Sequence, residues 1–203
     1  QLVHNIFKLL VAAEFVMNKN PHFYVPFNFG GIPHELSSYE KSKVVVLPVP
    51  YDATATFHPG ARKGPRAIID ASLSLDFYDE ETQSNFSDLG ICTLDELQTL
   101  DDAAKMTNRV YEAVKQLLAD GKKVVMLGGE HSLSIGSVQA HKERWHDLSV
   151  LHIDAHADIR EEFNGNKFSH ACTARRISEF CSLVSVGVRS ICEEEVEFAA
   201  ANN

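Results

Sequence analysis

Asp154, His156 and Asp158 stand at alternate positions directly after an apolar run, in the stretch VLHIDAHADIREEF from Val150 to Phe163. On a helix, residues two apart diverge, whereas on an extended strand positions i, i+2 and i+4 share a face. The spacing therefore reads as a strand end that gathers two carboxylates and an imidazole, the ligand set of a metal site. A second stretch, GGEHS, places His131 behind Gly128, Gly129 and Glu130 at the end of another apolar run, KVVML. Taken singly, His131 fits a helix start with Ser132 as its cap, and Asp154 and Asp158 fit solvated loop carboxylates. Taken together, two strand ends, read as neighbours in the sheet, that deliver histidines and carboxylates to one region favour a metal. His152 lies inside its strand and reads as a core residue. Carboxylates with imidazoles suit Mn²⁺ and accept Fe²⁺, Co²⁺ or Zn²⁺ less specifically, while the lack of thiolate ligands argues against structural zinc. Two carboxylates able to bridge point to a pair of ions roughly 3.5 to 4 Å apart that acidify a water, which implies hydrolysis.

Positioning these side chains requires strands that end together. Val44 to Val49, Lys123 to Leu127, Ser149 to Ile153 and Leu183 to Val188 are short β-branched runs followed by turn residues, as expected for buried parallel strands. Ile91 to Leu94 is a weaker fifth. Asp102 to Asp120 sets Met106, Val110, Val114, Leu117 and Leu118 at helical spacing, with Asp101 or Asp102 as cap and Gly121 as stop. Ser134 to Trp145 and Pro65 to Ser72 read as two more helices, Pro65 suiting a first turn. Strand and helix alternating at this pace predict an α/β fold with a parallel sheet, in which ligands sit outside the carboxyl ends of the strands.

Composition sets the outer limits. With 203 residues, 44% of them hydrophobic and 23% charged, one compact globular domain is expected. The net charge of -9 disfavours nucleic acid and anionic membrane and would draw in a cationic ligand. The apolar stretches fall short of a membrane span. Cys92, Cys172, Cys181 and Cys192 show no paired spacing and read as reduced thiols in a cytoplasmic protein, Cys172 alone standing out because it follows His170 by two. Residues 1–16 read as upstream or leader sequence, with a soluble N-terminus beginning at Met17 and an α/β domain over 17–203.

LGGEHSLSIG, HIDAHADIR, FSHACTARRI and VGVRS, preceded by VPYDATATFHPGARKGPRAI, resemble in that order the ureohydrolase family of arginases and agmatinases, over roughly Val44 to Ser190. The resemblance implies a three-layer α-β-α fold with a mainly parallel, arginase-like sheet, and a binuclear manganese centre. It puts His131 and Asp158 on one ion, His156 on the other and Asp154 between both. His170 matches a histidine that carries protons during turnover, although a packing role is the alternative reading. The implied reaction is attack of an activated water on a guanidinium carbon, yielding urea and an amine that must leave protonated. Arginases carry Asn two positions after the last Asp of the motif to grip an α-carboxylate; here that residue is Arg160. With SHACTARRI, this resembles agmatinases most and implies hydrolysis of agmatine to putrescine and urea, in polyamine biosynthesis. Arginine and guanidinobutyrate are the alternatives, and the family implies a homo-oligomer, trimer or hexamer, whose only other partner is a small cationic guanidino substrate.

One departure stands out. The family's later Asp-x-Asp, which supplies two further ligands, has no counterpart in these 203 residues. The run Glu193, Glu195 and Glu197 cannot replace it if it is helical, because alternate residues then diverge. The expectation is a chain lacking its C-terminal part and inactive alone; the alternative is a short, non-catalytic, metal-binding or regulatory relative.

Overall fold

A computed structural model describes residues 27–202, so the expectations for residues 1–16 and for a start at Met17 lie outside the described residues. In chain order the elements are α1 (His34–Ser37), β1 (Val44–Val49), α2 (Gly64–Ser72), β2 (Tyr78–Asp79), β3 (Ser84–Asn85), β4 (Ile91–Thr93), α3 (Ala103–Ala119), β5 (Lys123–Gly128), α4 (Leu133–Arg144), β6 (Ser149–Ile153), α5 (Thr173–Ser178), β7 (Ser182–Val186) and α6 (Glu193–Asn202). The expected strands and helices are present with ends displaced by a residue or two. The last strand stops at Val186 rather than Val188 because Gly187, at φ 92°, turns the chain.

β1 is central in a parallel sheet of order β4-β1-β5, with Val44 level with Ile91 on one side and Lys123 on the other. Its side chains alternate between two covered faces, which is why an uninterrupted apolar run suits it. Val45, Leu47 and Val49 pack with Met106, Val110, Val114, Leu117 and Leu118 of α3 and with Leu133 and Ala140 of α4. Val46 points the other way, to Ile32 and Ile91, with Phe29, Phe77 and Phe86 around them; α2 also packs against β1 and β5. The helical spacing in α3 thus matches a buried stripe. Asp102 caps this helix by accepting the Lys105 N–H at 2.8 Å, and Gly121, at φ 76°, ends it. α3 and α4 approach so closely that any side chain at Gly136 would collide with the Thr107 carbonyl.

β6 and β7 form a separate parallel pair, with Ser149 level with Ser182. Two expectations are corrected here. Among the described residues β5 and β6 are not hydrogen-bonded neighbours, so their ends converge while their edges stay unpaired. Nor are β6 and β7 buried on both faces: Val150 and Leu183 meet Ile135, Ile177 and Cys181 of the α4–α5 side, but Leu151, Ile153, Val184 and Val186 are 65%, 75%, 63% and 50% exposed. Nothing in the described residues covers that second face.

All four cysteines are free thiols. Cys172 is fully buried, and burial pushes its thiol up to about 11, so it is an inert packing residue and not a nucleophile. Among the described residues no helix is long and apolar enough to cross a membrane.

Candidate metal centre

The loops that follow β1 and β5 are tied together by backbone. Gly129 N–H donates to the Val49 carbonyl at 3.1 Å and Glu130 N–H to the Tyr51 carbonyl at 2.8 Å. A side chain at Gly129 would strike the Tyr51 carbonyl, so glycine is the residue that permits this approach. The tie fixes where the chain turns into α4 and thereby aims His131. Ser132, expected as a cap, makes no cap hydrogen bond; its hydroxyl donates to the Glu130 carboxylate at 2.5 Å.

On the other side, β6 ends at Ile153 and the next residues run beside the segment after β7. Asp154 N–H donates to the Val186 carbonyl, and the Ala155 carbonyl accepts the N–H groups of Arg189 and Ser190. The alternation expected of a strand holds from His152 through Asp154 to His156, which bridges Ser190. Asp158 arrives differently. Its φ is 52°, in the left-handed region that Asp tolerates better than most residues, and a turn rather than strand pleat brings its carboxylate back to the others.

The two loops meet at His131. Its Nδ1 lies 2.7 Å from Asp158 Oδ2 and 3.5 Å from Asp154 Oδ2. His152 Nε2 is 3.6 Å from the same Asp154 oxygen, its ring stacked on that of His131 at 5.1 Å. One donor atom from each of His131, His152, Asp154 and Asp158 lies within 4.8 Å of every other. This set fits a divalent cation that prefers oxygen and imidazole ligands. One orphaned atom sharpens the fit: His152 Nδ1 pairs with the Ser185 hydroxyl at 2.9 Å, but its buried Nε2 has no hydrogen-bond partner and faces Asp154.

His156 stands apart from this cluster. Its side chain is 65% exposed, with Nδ1 3.4 Å from Asp154 Oδ1, while its backbone N–H donates to that oxygen at 2.8 Å. Asp154 therefore has imidazoles on both of its oxygens. Burial works to raise its pKa, but the His156 N–H and the three neighbouring histidines outweigh burial and hold it below the ordinary Asp value. Burial, and then the charge of His131, push His152 below the ordinary His value against the pull of Asp154 and Asp158.

These groups open into a cavity of 640 Å³ whose wall also includes Phe57, Phe163, Arg160 and His170. His170 is not in the donor cluster; its Nδ1 lies 3.1 Å from the Thr54 hydroxyl. Arg160 lies over the Phe163 ring, 5.0 Å from its centroid. Glu195, in α6, is buried below the cavity, but its carboxylate accepts the N–H groups of Ile159 and Cys192 and stays outside the donor cluster.

Sequence reading takes His152 for a core residue, which its unpaired Nε2 beside Asp154 corrects, and it passes over Thr54 and Glu130. The i, i+2 spacing that singles out Asp154 and His156 extends backwards to His152 and is the signal that could find it. Thr54 carries no such signal, because only the tie between the β1 and β5 loops brings it near.

The sequence model of the arginase family matches residues 42–203. An N(1)-aminopropylagmatine ureohydrolase from Thermus thermophilus is 42% identical over 164 residues, 79% of this chain and 56% of that protein. An agmatinase from Halalkalibacterium halodurans is 36% identical over 170 residues, 80% of this chain and 58% of its own. Among solved structures, the agmatine ureohydrolase of Thermoplasma volcanium superposes with a TM-score of 0.78 at 30% identity, over 87% of this chain and 59% of that one. The chain thus spans little more than half the length of these relatives, and its parallel sheets with flanking helices are the arginase-like fold.

Proposed function

Because the chain belongs to the arginase family, we propose that it serves metal-dependent hydrolysis of a guanidino group, with agmatine as substrate and urea and putrescine as products. The observation that carries this reading is the convergence of His131, Asp154 and Asp158 at the floor of a cavity that also holds His170. His131, Asp154 and Asp158 would hold Mn²⁺, with His156 beside Asp154 toward a second position. Bound Mn²⁺ supplies the acidity that makes hydroxide available from water near neutral pH.

The chain's own residues do the rest. Asp154 and Asp158 present negative charge to a cationic guanidinium, and the net charge of -9 favours its approach. His170 gives a proton to the departing nitrogen, since an amine leaves poorly without one. Arg160 stands where arginases carry the Asn that grips an α-carboxylate, and its guanidinium is turned to the Phe163 ring and to the Glu195 carboxylate 4.0 Å away, which favours agmatine over arginine. A second reading is N1-aminopropylagmatine, favoured by the 42% identity to the Thermus N(1)-aminopropylagmatine ureohydrolase.

The 203 residues contain no Asp-x-Asp, and the donor cluster includes two carboxylates. Two divalent cations close together need more negative charge than that, so the chain alone is expected to bind one ion firmly and to release no urea. The test joins residues 1–203 to the part of the Thermus relative beyond the match and measures urea from agmatine, N1-aminopropylagmatine and arginine with Mn²⁺. The expected ranking in kcat/KM places agmatine above arginine. Arginine ranking first would overturn the substrate, and no urea from any of the three would overturn the hydrolase reading. In the unextended chain, Asp154→Ala should weaken Mn²⁺ binding more than His156→Ala does, by calorimetric titration.

A further inference from the structure

We propose that Thr54, itself held by Glu130, is a positioning residue that fixes the neutral His170 ring as its Nδ1–H tautomer and leaves Nε2 as the nitrogen that exchanges protons in the cavity. This rests on the reading of His170 as the proton carrier.

Glu130 is buried, and its carboxylate accepts three hydrogen bonds: from the Thr54 hydroxyl at 2.5 Å, the Ser132 hydroxyl at 2.5 Å and the Thr54 backbone N–H at 2.8 Å. A carboxylate has only acceptors, so the single proton of the Thr54 hydroxyl is committed to Glu130. The Thr54 oxygen can then only accept. Two groups of His170 use it: the backbone N–H at 3.0 Å and ring Nδ1 at 3.1 Å. A 3.1 Å contact between an oxygen that has no proton to give and a ring nitrogen requires the proton to be on the nitrogen. Among the described residues Ser169 supplies the one competing group, a buried hydroxyl 3.3 Å from Nδ1 that can accept or donate. It is more distant than Thr54, and donation from it would leave the Thr54 oxygen facing a lone pair.

Both hydroxyls that reach the ring sit on Nδ1, so Nε2 is left for chemistry. The Phe163 ring stands edge-on to the imidazole at 5.8 Å and limits its rotation. In turnover Nε2 takes up a proton released by the attacking water, and as the carbon–nitrogen bond breaks, the electron pair leaving with nitrogen takes that proton from Nε2. The ring returns to its neutral Nδ1–H form, having kept its bond to Thr54 throughout. The reverse tautomer would present a protonated Nε2 that cannot first accept.

The test reads the tautomer without metal or substrate, so it stands or falls separately from hydrolysis. The 203-residue chain is labelled with ¹⁵N-histidine, and two-bond ¹H–¹⁵N correlations are recorded at a pH where the ring is neutral, His170 being assigned by its loss in His170→Asn. The expected result is a single Nδ1–H tautomer, retained in Thr54→Ser and replaced by a mixture or by Nε2–H in Thr54→Val. Retention in the serine variant separates loss of the hydroxyl from loss of fold. An Nε2–H tautomer in the unsubstituted chain would overturn the proposal. So would an Nδ1–H signal unchanged in Thr54→Val, or one that shifts only in Ser169→Ala.

Discussion

β1 and β7 are written in nearly the same alphabet, VVVLPV against SLVSV, yet one is buried along almost its whole length and the other is largely exposed. β1 has α3 and α4 on one face and the Ile32 cluster on the other. β6 and β7 have α4 and α5 on one face and nothing described on the other, where Ile153 is 75% exposed. A β-branched run thus specifies a strand, while its burial depends on what packs over it. The difference also bears on the candidate site, because each half donates one side of it: His131 comes from the covered sheet, and Asp154 and Asp158 come from the end of the half-covered pair.

The sharpest way to break this comparison is to remove packing from each half. Met106→Ala, fully buried against β1, should destabilise the chain by about 2 to 5 kcal/mol, seen as a lower urea midpoint at unchanged slope. A loss no greater than that of an exposed substitution would mean that the covered sheet is not the stable core. Next comes Asp52, just beyond β1, whose buried carboxylate accepts the Gly60 and Arg62 N–H groups and pairs with the Arg62 guanidinium. Burial works to raise its pKa, but these donors outweigh burial and hold it below the ordinary Asp value. A depressed carboxylate stabilises above its unfolded pKa, so Asp52→Asn should cost about 2 kcal/mol at neutral pH. The gap from the parent chain should shrink as pH falls below about 3.9, the unfolded Asp value; a gap that widens in acid would remove Asp52 from this role. Asp102→Ala removes the α3 cap and should cost about 1 kcal/mol by the same measurement. The smallest effect is expected on the open face: Ile153→Thr should fall within about 0.5 kcal/mol of the parent. Amide exchange should likewise be slower in β1 than in β7, and equal protection would erase the distinction between the halves.

Much of the candidate site is legible in local spacing. Asp154 and His156 follow the pleat of an extended chain, and His131 follows two glycines, one of which is needed where the loop crosses the Tyr51 carbonyl. The alternation that singles out Asp158 does not operate there, since this residue reaches the cluster through a left-handed turn. His152 reads as a satisfied core residue because burial is legible in a strand pattern and an unpaired Nε2 is not. The neighbour relation expected of β5 and β6 does not hold, because sequence order says which strands exist but not which edges pair.

By itself the sequence determined which stretches form strands and helices, to within a residue or two at their ends, because backbone preference, capping and hydrophobic period act over a few residues. It also determined the types of side chain at the candidate site, since carboxylates and imidazoles in alternation carry their chemistry with them. Only the tertiary structure decided which of these side chains meet. Thr54, Glu130 and His170 are separated by 76 and 116 positions along the chain from first to second and first to third. The Thr54–Glu130 bonds exist because the loops after β1 and β5 are tied together, and those to His170 because the segment before α5 is brought against that pair; no pattern within reach of a single turn or pleat encodes these distances.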